Sequence, residues 1–145
     1  MQFVDVLYTI LIVVGSDVRA EERDRPLAYR LKGEIDARGD PEQLKKAIVL
    51  GDQWYLQNKV YQACPTIAIG GAGVNHLTAM WMTSLPATIS KGKTAFIQLD
   101  EDFSDTRVAI WGTNHVATGA AVDVFVTQHL NRYLDVVWKR QKKGS

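Results

Sequence analysis

Four short apolar runs, each rich in β-branched residues and with a glycine at or next to its end, constrain this chain more than any other feature. They cover residues 7–15, 46–52, 66–69 and 107–111. Runs of this length and composition are typical of strands buried on both faces of an α/β sheet. The carboxyl ends of parallel strands meet at one edge of a sheet. We therefore predict that the glycines at these ends share one edge: Gly15, Gly51, Gly70 and Gly112.

The segments between these runs predict helices. Leu27, Leu31 and Ile35 are spaced four apart, which places them on one face of a helix. Pro26 suits the first turn of that helix, and Gly39 suits a left-handed C-cap. This pattern indicates an amphipathic helix that covers the sheet.

The rest of the chain continues the alternation of strand and helix. We expect a loop with a short helix over residues 53–64, a helix over 74–85 ended by Pro86, and one long helix from His115. The runs 94–99 and 107–111 are separated only by a short acidic linker, which favours an antiparallel hairpin. The sequence therefore predicts one α/β domain over residues 1–145: a three-layer Rossmann-like sheet of about five strands, mostly parallel with one antiparallel hairpin, and helices on both faces.

Composition argues against several classes of partner. With 17 basic and 16 acidic residues, the formal net charge is +1, too even for a nucleic-acid binder. The run 7–15 follows Asp5 without any Lys or Arg and is far shorter than the ~20 residues of a membrane span, so we interpret it as a strand and expect no membrane partner. The single cysteine, Cys64, excludes an internal disulfide and fits a reducing, cytoplasmic location.

The stretch TIAIGGAGVNHLTAM, residues 66–80, places three glycines between a strand and a predicted helix. Such a turn lets a backbone approach a ligand closely, and a helix N-terminus offers N–H groups to an anion. The dinucleotide fingerprint G-x-G-x-x-G is not met, because Gly71 and Gly73 are followed by His76, and no P-loop motif occurs. Two interpretations stay open, a ligand-admitting turn and a purely geometric one. In both, we expect positive φ at Gly71 and Gly73.

Residues that follow the strand ends form the candidate ligand site, since open α/β sheets bind ligands beyond the carboxyl ends of their strands. The candidate ligand-binding residues are Ser16, Asp17, Asp52, Trp54, Gly70, Gly71, Gly73, Asn75, Thr113 and His115. Arg19, Arg23 or Arg25 could in addition hold an anion near the end of the first strand. Helix capping is the alternative role for Thr113, Asn114 and Thr118.

Two of the three histidines are candidates for acid–base chemistry. The histidines lack metal-site spacing, so no metal site is predicted. His76 and His115 each follow a strand end, where Asp17 or Asp52 could orient the imidazole.

Two functions of different classes therefore remain open. The first is a non-catalytic domain that binds a small polar or phosphorylated ligand, or a partner subunit, through its glycine-rich edge. The second is a small transferase or hydrolase acting on a nucleoside-like or phosphorylated substrate, with Trp54 or Tyr55 stacking on the base.

Two short motifs in the C-terminal half carry a resemblance to a known family. Gly70, Gly71, Val74 and Asn75 match a G-G-x-x-V-N turn, and Gly112, Thr118, Ala120 and Ala121 match a later G-x-x-x-x-x-T-x-A-A helix start. With these motifs, this half of the chain resembles Rossmann-like domains of prokaryotic S-layer-type surface proteins. The similarity covers about residues 65–130. It implies a shared turn geometry and sheet, and it supplies no activity.

Aromatic content predicts self-association. Four tryptophans and five tyrosines are more large aromatic surface than one small core easily covers. Trp81 with Met82, and Tyr133 with Trp138, lie on predicted helices that have another apolar face. Because such residues are enriched at interfaces and symmetric dimers are the commonest oligomers, we expect a homodimer.

Overall fold

The structure is a computed structural model that describes residues 6, 8–40, 42 and 45–142. Its strands are β1 (Ile10–Val14), β2 (Ala47–Gly51), β3 (Thr66–Ile69), β4 (Ala87–Lys91), β5 (Ala95–Leu99) and β6 (Val108–Gly112). Its helices are α1 (Arg25–Arg38), α2 (Asp52–Gln57), α3 (His76–Trp81), α4 (His115–Gln128) and α5 (Leu130–Lys142). The strands form one six-stranded sheet in the order β2-β1-β3-β6-β5-β4.

Four neighbouring strands of this sheet, β2, β1, β3 and β6, are parallel. Val14 at the end of β1 lies opposite Gly51 on one side and Ile69 on the other. The predicted common edge for the glycines at the four strand ends is therefore confirmed. All five residues of β1 are buried, as predicted for a central strand. Asp5 and Leu7, on which the prediction for this run also depended, lie outside the described residues.

The remaining two strands, β5 and β4, are added in antiparallel pairs. β5 pairs antiparallel with β6, as the short acidic linker predicts, and β4 pairs antiparallel with β5. The sequence did not predict β4, because its side chains are mostly exposed and form no apolar run. The β4–β5 turn consists of Gly92, Lys93 and Thr94, because Lys91 pairs with Ala95, and φ is 64° at both Gly92 and Lys93.

Helices cover both faces of the sheet, so the predicted three-layer α/β fold is confirmed. On one face, α1, α4 and α5 share one hydrophobic core with alternate residues of β1, among them Ile10 and Ile12. On the other face, α2 and α3 pack against Leu11 and Val13. Successive side chains of β1 point to opposite faces of the sheet and thus enter two separate cores.

Helix α1 follows the prediction on its buried face. Leu27, Leu31 and Ile35 are buried, and Pro26 lies in the first turn. The expected left-handed C-cap at Gly39 is wrong, since φ there is −100°. A glycine is needed for another reason: a β-carbon on Gly39 would lie 1.9 Å from the carbonyl oxygen of Lys45.

Three further segments differ from the predictions in their bounds. The aromatic segment after β2 forms α2 and a 3₁₀ helix over Lys59–Ala63. The helix predicted over residues 74–85 is shorter, because Asn75 caps α3 at its start and turns follow Trp81. The long C-terminal helix is divided at His129, where φ is −129°.

The aromatic side chains invoked for a dimer are largely in the core. Trp81, Tyr133 and Trp138 are buried, whereas Met82 is half exposed. The aromatic argument for a homodimer therefore loses its premise, although the dimer itself stays a prediction. Among the described residues, no helix combines the length and the apolar character that a membrane crossing requires.

Candidate functional site

The chain connectivity creates a crevice between β1 and β3. From β1 the chain passes through α1 to β2, on one side of β1, and from β3 it passes through α3 to β4, on the other side. The loops that follow β1 and β3 therefore leave neighbouring strands in different directions. Ligands of open α/β sheets bind at such a switch point, beyond the carboxyl ends of the strands.

Close backbone contacts explain the glycines at the strand ends. A β-carbon on Gly15 would lie 1.8 Å from the carbonyl oxygen of Val74, and one on Gly112 would lie 2.3 Å from the amide nitrogen of Thr118. Gly70 has φ of 115°, which side-chain-bearing residues rarely adopt. These three glycines are required by the fold itself.

Gly71 and Gly73 behave differently from these three. The expectation of positive φ at both positions is wrong, because the left-handed glycine of this turn is Gly70. A β-carbon on Gly73 would have no atom within 4 Å, and one on Gly71 would approach only Trp111, at 3.6 Å. Neither packing nor conformation requires glycine there, and both residues line open clefts.

Asn75 holds the glycine turn against the sheet; this turn is the loop between β3 and α3 that contains Gly70, Gly71 and Gly73. Its side-chain amide donates to the carbonyl oxygens of Val13, at 2.9 Å, and Ile69, at 3.0 Å. Its Oδ1 accepts the backbone N–H of Leu77 at 2.9 Å. The side chain is buried and its donors are occupied within the protein, so it has a structural role, while its contact with a ligand stays a prediction.

Asp52 joins the loops after β1 and β3. Its buried carboxylate accepts the Ser16 hydroxyl at 2.6 Å, the His76 backbone N–H at 2.9 Å and the His76 Nδ1 at 2.7 Å. Burial by itself raises the pKa of Asp52, but hydrogen bonds from His76 and Ser16 outweigh burial and hold the pKa below its usual range. The carboxylate is therefore ionised at neutral pH.

Two clefts flank the glycine turn at this edge. The first, the arginine cleft, has a volume of about 150 Å³. It is lined by Arg19, Ala20, Arg23, Asp24, Gly70, Gly71, Val74, Gly112, Asn114, His115 and Thr118. The second, the histidine cleft, has a volume of about 200 Å³. It is lined by Ser16, Asp17, Gln53, Ala72, Gly73, Val74, Asn75 and His76.

The arginine cleft contains the start of α4. The Asn114 side chain caps this helix by accepting the Ala117 N–H at 2.8 Å. The Thr118 hydroxyl ties the helix to β6, because it accepts the Gly112 N–H at 3.0 Å. The capping alternative for Asn114 is thus confirmed, while the N–H groups of His115 and Val116 have no acceptor within the helix.

Asp24 forms a buried wall of the same cleft. Asp24 is only 7% exposed. No described residue donates a hydrogen bond to its carboxylate. Burial raises its pKa to about 6, against the lowering influence of His115. An aspartate with unused hydrogen-bonding capacity in a cleft is open to a ligand.

The predicted site residues divide between the two clefts and their surroundings. Ser16, Asp17, Gly73 and Asn75 line the histidine cleft, and Asp52 lies beneath it. Gly70, Gly71 and His115 line the arginine cleft with Arg19 and Arg23, whereas Arg25 is paired with Glu21 at 2.7 Å. Of the alternative carboxylates for His76, the structure selects Asp52.

Three predicted positions lie outside both clefts. Trp54 is 57% exposed, and its indole N–H donates to the Tyr61 hydroxyl at 3.3 Å. Thr113 is exposed, and its backbone N–H donates to Thr94. Tyr55 is buried beside Thr66, so it is not placed to stack on a base.

Sequence reasoning missed Asp24 and Gln53 as cleft residues. Asp24 belongs to the charged run EERDR, where nothing distinguishes a buried acid from a solvated one. Gln53 follows Asp52 directly, so its proximity to a strand end was the available signal.

A wider depression of about 620 Å³ lies at the opposite edge of the sheet. It is lined by Pro86, Ala87, Asp100, Glu101, Asp102 and Arg132. Its acidic residues belong to the turn after β5, which we interpret as a solvated loop. Within the described part of the chain, no three His, Cys, Asp or Glu side chains are grouped closely enough to hold a metal ion.

Comparisons with family models, curated proteins and solved structures found no match to this chain. The resemblance to S-layer-type domains therefore stays a prediction. The function must be argued from the two clefts.

Proposed function

We propose that the protein binds a small anionic ligand, carrying a phosphate or carboxylate group, in the arginine cleft. The observation that carries this proposal is the convergence of Arg19, Arg23 and the start of α4 on the glycine turn. Arginine side chains bind phosphate and carboxylate groups with paired N–H donors, and helix N-termini favour anions. Gly71 leaves the floor of the cleft without a side chain.

The rest of the lining indicates what else the ligand carries. Asp24 needs a hydrogen-bonding partner that the described protein groups do not supply. A hydroxyl or amino group next to the anionic group would meet this need. The cleft volume of about 150 Å³ corresponds to roughly five water molecules, so the group bound there is small.

A thermal-shift series tests this proposal. Inorganic phosphate, sugar phosphates, nucleotides and dicarboxylates are added separately, because a ligand that binds only the folded state raises the unfolding midpoint. We expect at least one of these anions to raise the midpoint of the wild type, and the double variant Arg19→Ala/Arg23→Ala to lose that increase.

The matched control is the double variant Lys59→Ala/Lys91→Ala. It removes the same formal charge at exposed positions outside the arginine cleft. We expect it to keep the increase. If both double variants lose the increase in the unfolding midpoint equally, the increase is a nonspecific charge effect. If no anion raises the midpoint of the wild type, the proposal is contradicted.

We also propose a cytoplasmic location and a homodimer. The single cysteine supports the location, since an internal disulfide is impossible. Exposed apolar side chains that no described element covers, among them Met80 and Met82, remain as support for the dimer. Sedimentation across a dilution series tests it: a mass near 16.2 kDa at every concentration would contradict a dimer.

A further inference from the structure

We propose that the histidine cleft is a hydrolytic site for uncharged carboxylic esters, in which the His76 imidazole, oriented by Asp52, is the general base. This activity goes beyond anion binding in the arginine cleft and does not depend on it. The two sites share only Val74 among their lining residues.

The hydrogen bonds at Asp52 determine which nitrogen of His76 is basic. Asp52 is ionised and can only accept hydrogen bonds, so the Nδ1 that lies 2.7 Å from it carries the proton. In the neutral imidazole, Nε2 then holds the free lone pair. The His76 side chain is 67% exposed, so this nitrogen is accessible to water and substrate.

The contact between the imidazole and Asp52 exceeds what helix capping requires. Asp52 already accepts the His76 backbone N–H at 2.9 Å, which satisfies the start of α3. The additional Nδ1 contact fixes the tautomer and the ring orientation, and a buried carboxylate stabilises the imidazolium that forms during proton transfer. Asp52 is therefore a positioning residue.

Ser16 is not the nucleophile of this site. Its hydroxyl donates to Asp52 at 2.6 Å and has no hydrogen bond to His76. In a Ser-His-Asp triad the histidine lies between the other two residues, whereas here the aspartate does. Water is accordingly the nucleophile.

The charges around the cleft select the substrate class. Asp17 lines the cleft, Asp52 lies beneath it, and none of the lining residues is a lysine or arginine. Two carboxylates without a cation disfavour a phosphate dianion. An uncharged ester does not meet that repulsion, and Gly73 leaves open space for it above the turn.

The reaction balances with water alone. His76 Nε2 takes a proton from water while the water oxygen bonds to the ester carbonyl carbon. The tetrahedral intermediate then collapses, the bond from carbon to the alcohol oxygen breaks, and the alcohol leaves with the proton from Nε2. The products are a carboxylic acid and an alcohol, and no oxidation or reduction occurs.

Hydrolysis of p-nitrophenyl acetate by the full chain tests the proposal. The wild type is compared with His76→Gln and with the double variant His76→Gln/Lys91→His, which restores an exposed imidazole on β4, away from Asp52. General bases contribute typically 10²–10⁴-fold, so we expect kcat/KM of the wild type to exceed both variants by at least about tenfold.

A rate within about threefold of the wild type in either variant would overturn the proposal. The nitrogen chemical shifts of the His76 imidazole give a second test that requires no variant to fold. Neutral His76 should show the Nδ1–H tautomer. A dominant Nε2–H tautomer would direct the lone pair at Asp52 and would also overturn it.

Discussion

The carbonyl oxygen of Val74 lies 1.8 Å from the point that a β-carbon on Gly15 would occupy. The loops after β1 and β3 are thus in direct backbone contact, and Val74 itself lines both clefts. Because any side chain on Gly15 must push the glycine turn away, we predict that Gly15→Ala lowers the free energy of unfolding by about 1–3 kcal/mol. Urea unfolding measures this loss.

The matched control for this change is Gly73→Ala. A β-carbon there has no atom within 4 Å, so the free energy of unfolding should stay within about 0.5 kcal/mol of the wild type. If both variants lose the same stability, the contact between the loops has no special role.

Gly70 is the conformationally demanding residue of the glycine turn. Its φ of 115° is strained for any L side chain, and a β-carbon would lie 2.7 Å from the Asp24 carboxylate. We predict that Gly70→Ala lowers the free energy of unfolding by about 1–3 kcal/mol, whereas Gly71→Ala does not. Equal midpoints for the wild type and both variants in thermal unfolding would contradict the conformation described here.

Asp52 makes stability depend on acid pH. Its pKa in the folded state is held below the value of about 3.9 for a free aspartate. Its contribution is therefore fully present above about pH 4 and is lost as pH falls through the folded-state pKa. Asp52→Asn should lower the free energy of unfolding at pH 7 by about 1–3 kcal/mol, because the donors from Ser16 and His76 lose their charged acceptor.

The measurement for Asp52 is urea unfolding between pH 2 and pH 7. We expect the gap between wild type and Asp52→Asn to narrow below about pH 4. A gap that stays constant to pH 2 would show that the carboxylate charge is not what stabilises this junction.

The sequence predicts the edge that carries the site, since glycine-terminated apolar runs indicate parallel strands whose ends coincide. It also identifies His76 as a candidate base. It cannot choose between Asp17 and Asp52 as its partner, because both follow strand ends and only the packing of the loops decides. Asp24 could not be recognised, because its charged neighbours Glu21, Glu22 and Arg23 are exposed and nothing in the sequence separates it from them.

Asp24 should make anion affinity depend on pH near neutrality. Its pKa is raised to about 6, so above that pH it places a negative charge beside the bound anion. Sulfate is the probe, since its own charge is constant in this range. Two unit charges 4 Å apart in water repel each other by about 1 kcal/mol, which corresponds to about a fivefold change in affinity. We therefore expect the affinity for sulfate to fall at least about fivefold between pH 5 and pH 7.

His115, Arg23 and Asp17 also act on Asp24, and His115 lines the same cleft. The titration is therefore made by calorimetry in His115→Gln, with and without Asp24→Asn. The fall should persist in His115→Gln and disappear in the double variant. Its persistence in the double variant would exclude Asp24 as the cause.

Backbone amide chemical shifts during a phosphate titration test the binding site most directly. If the arginine cleft binds small anions, the shifts should saturate, should be largest at Gly70, Gly71, His115 and Val116, and should vanish in Arg19→Ala/Arg23→Ala. The absence of any saturating shift, or saturating shifts centred on another surface such as the β4–β5 turn, would contradict the account.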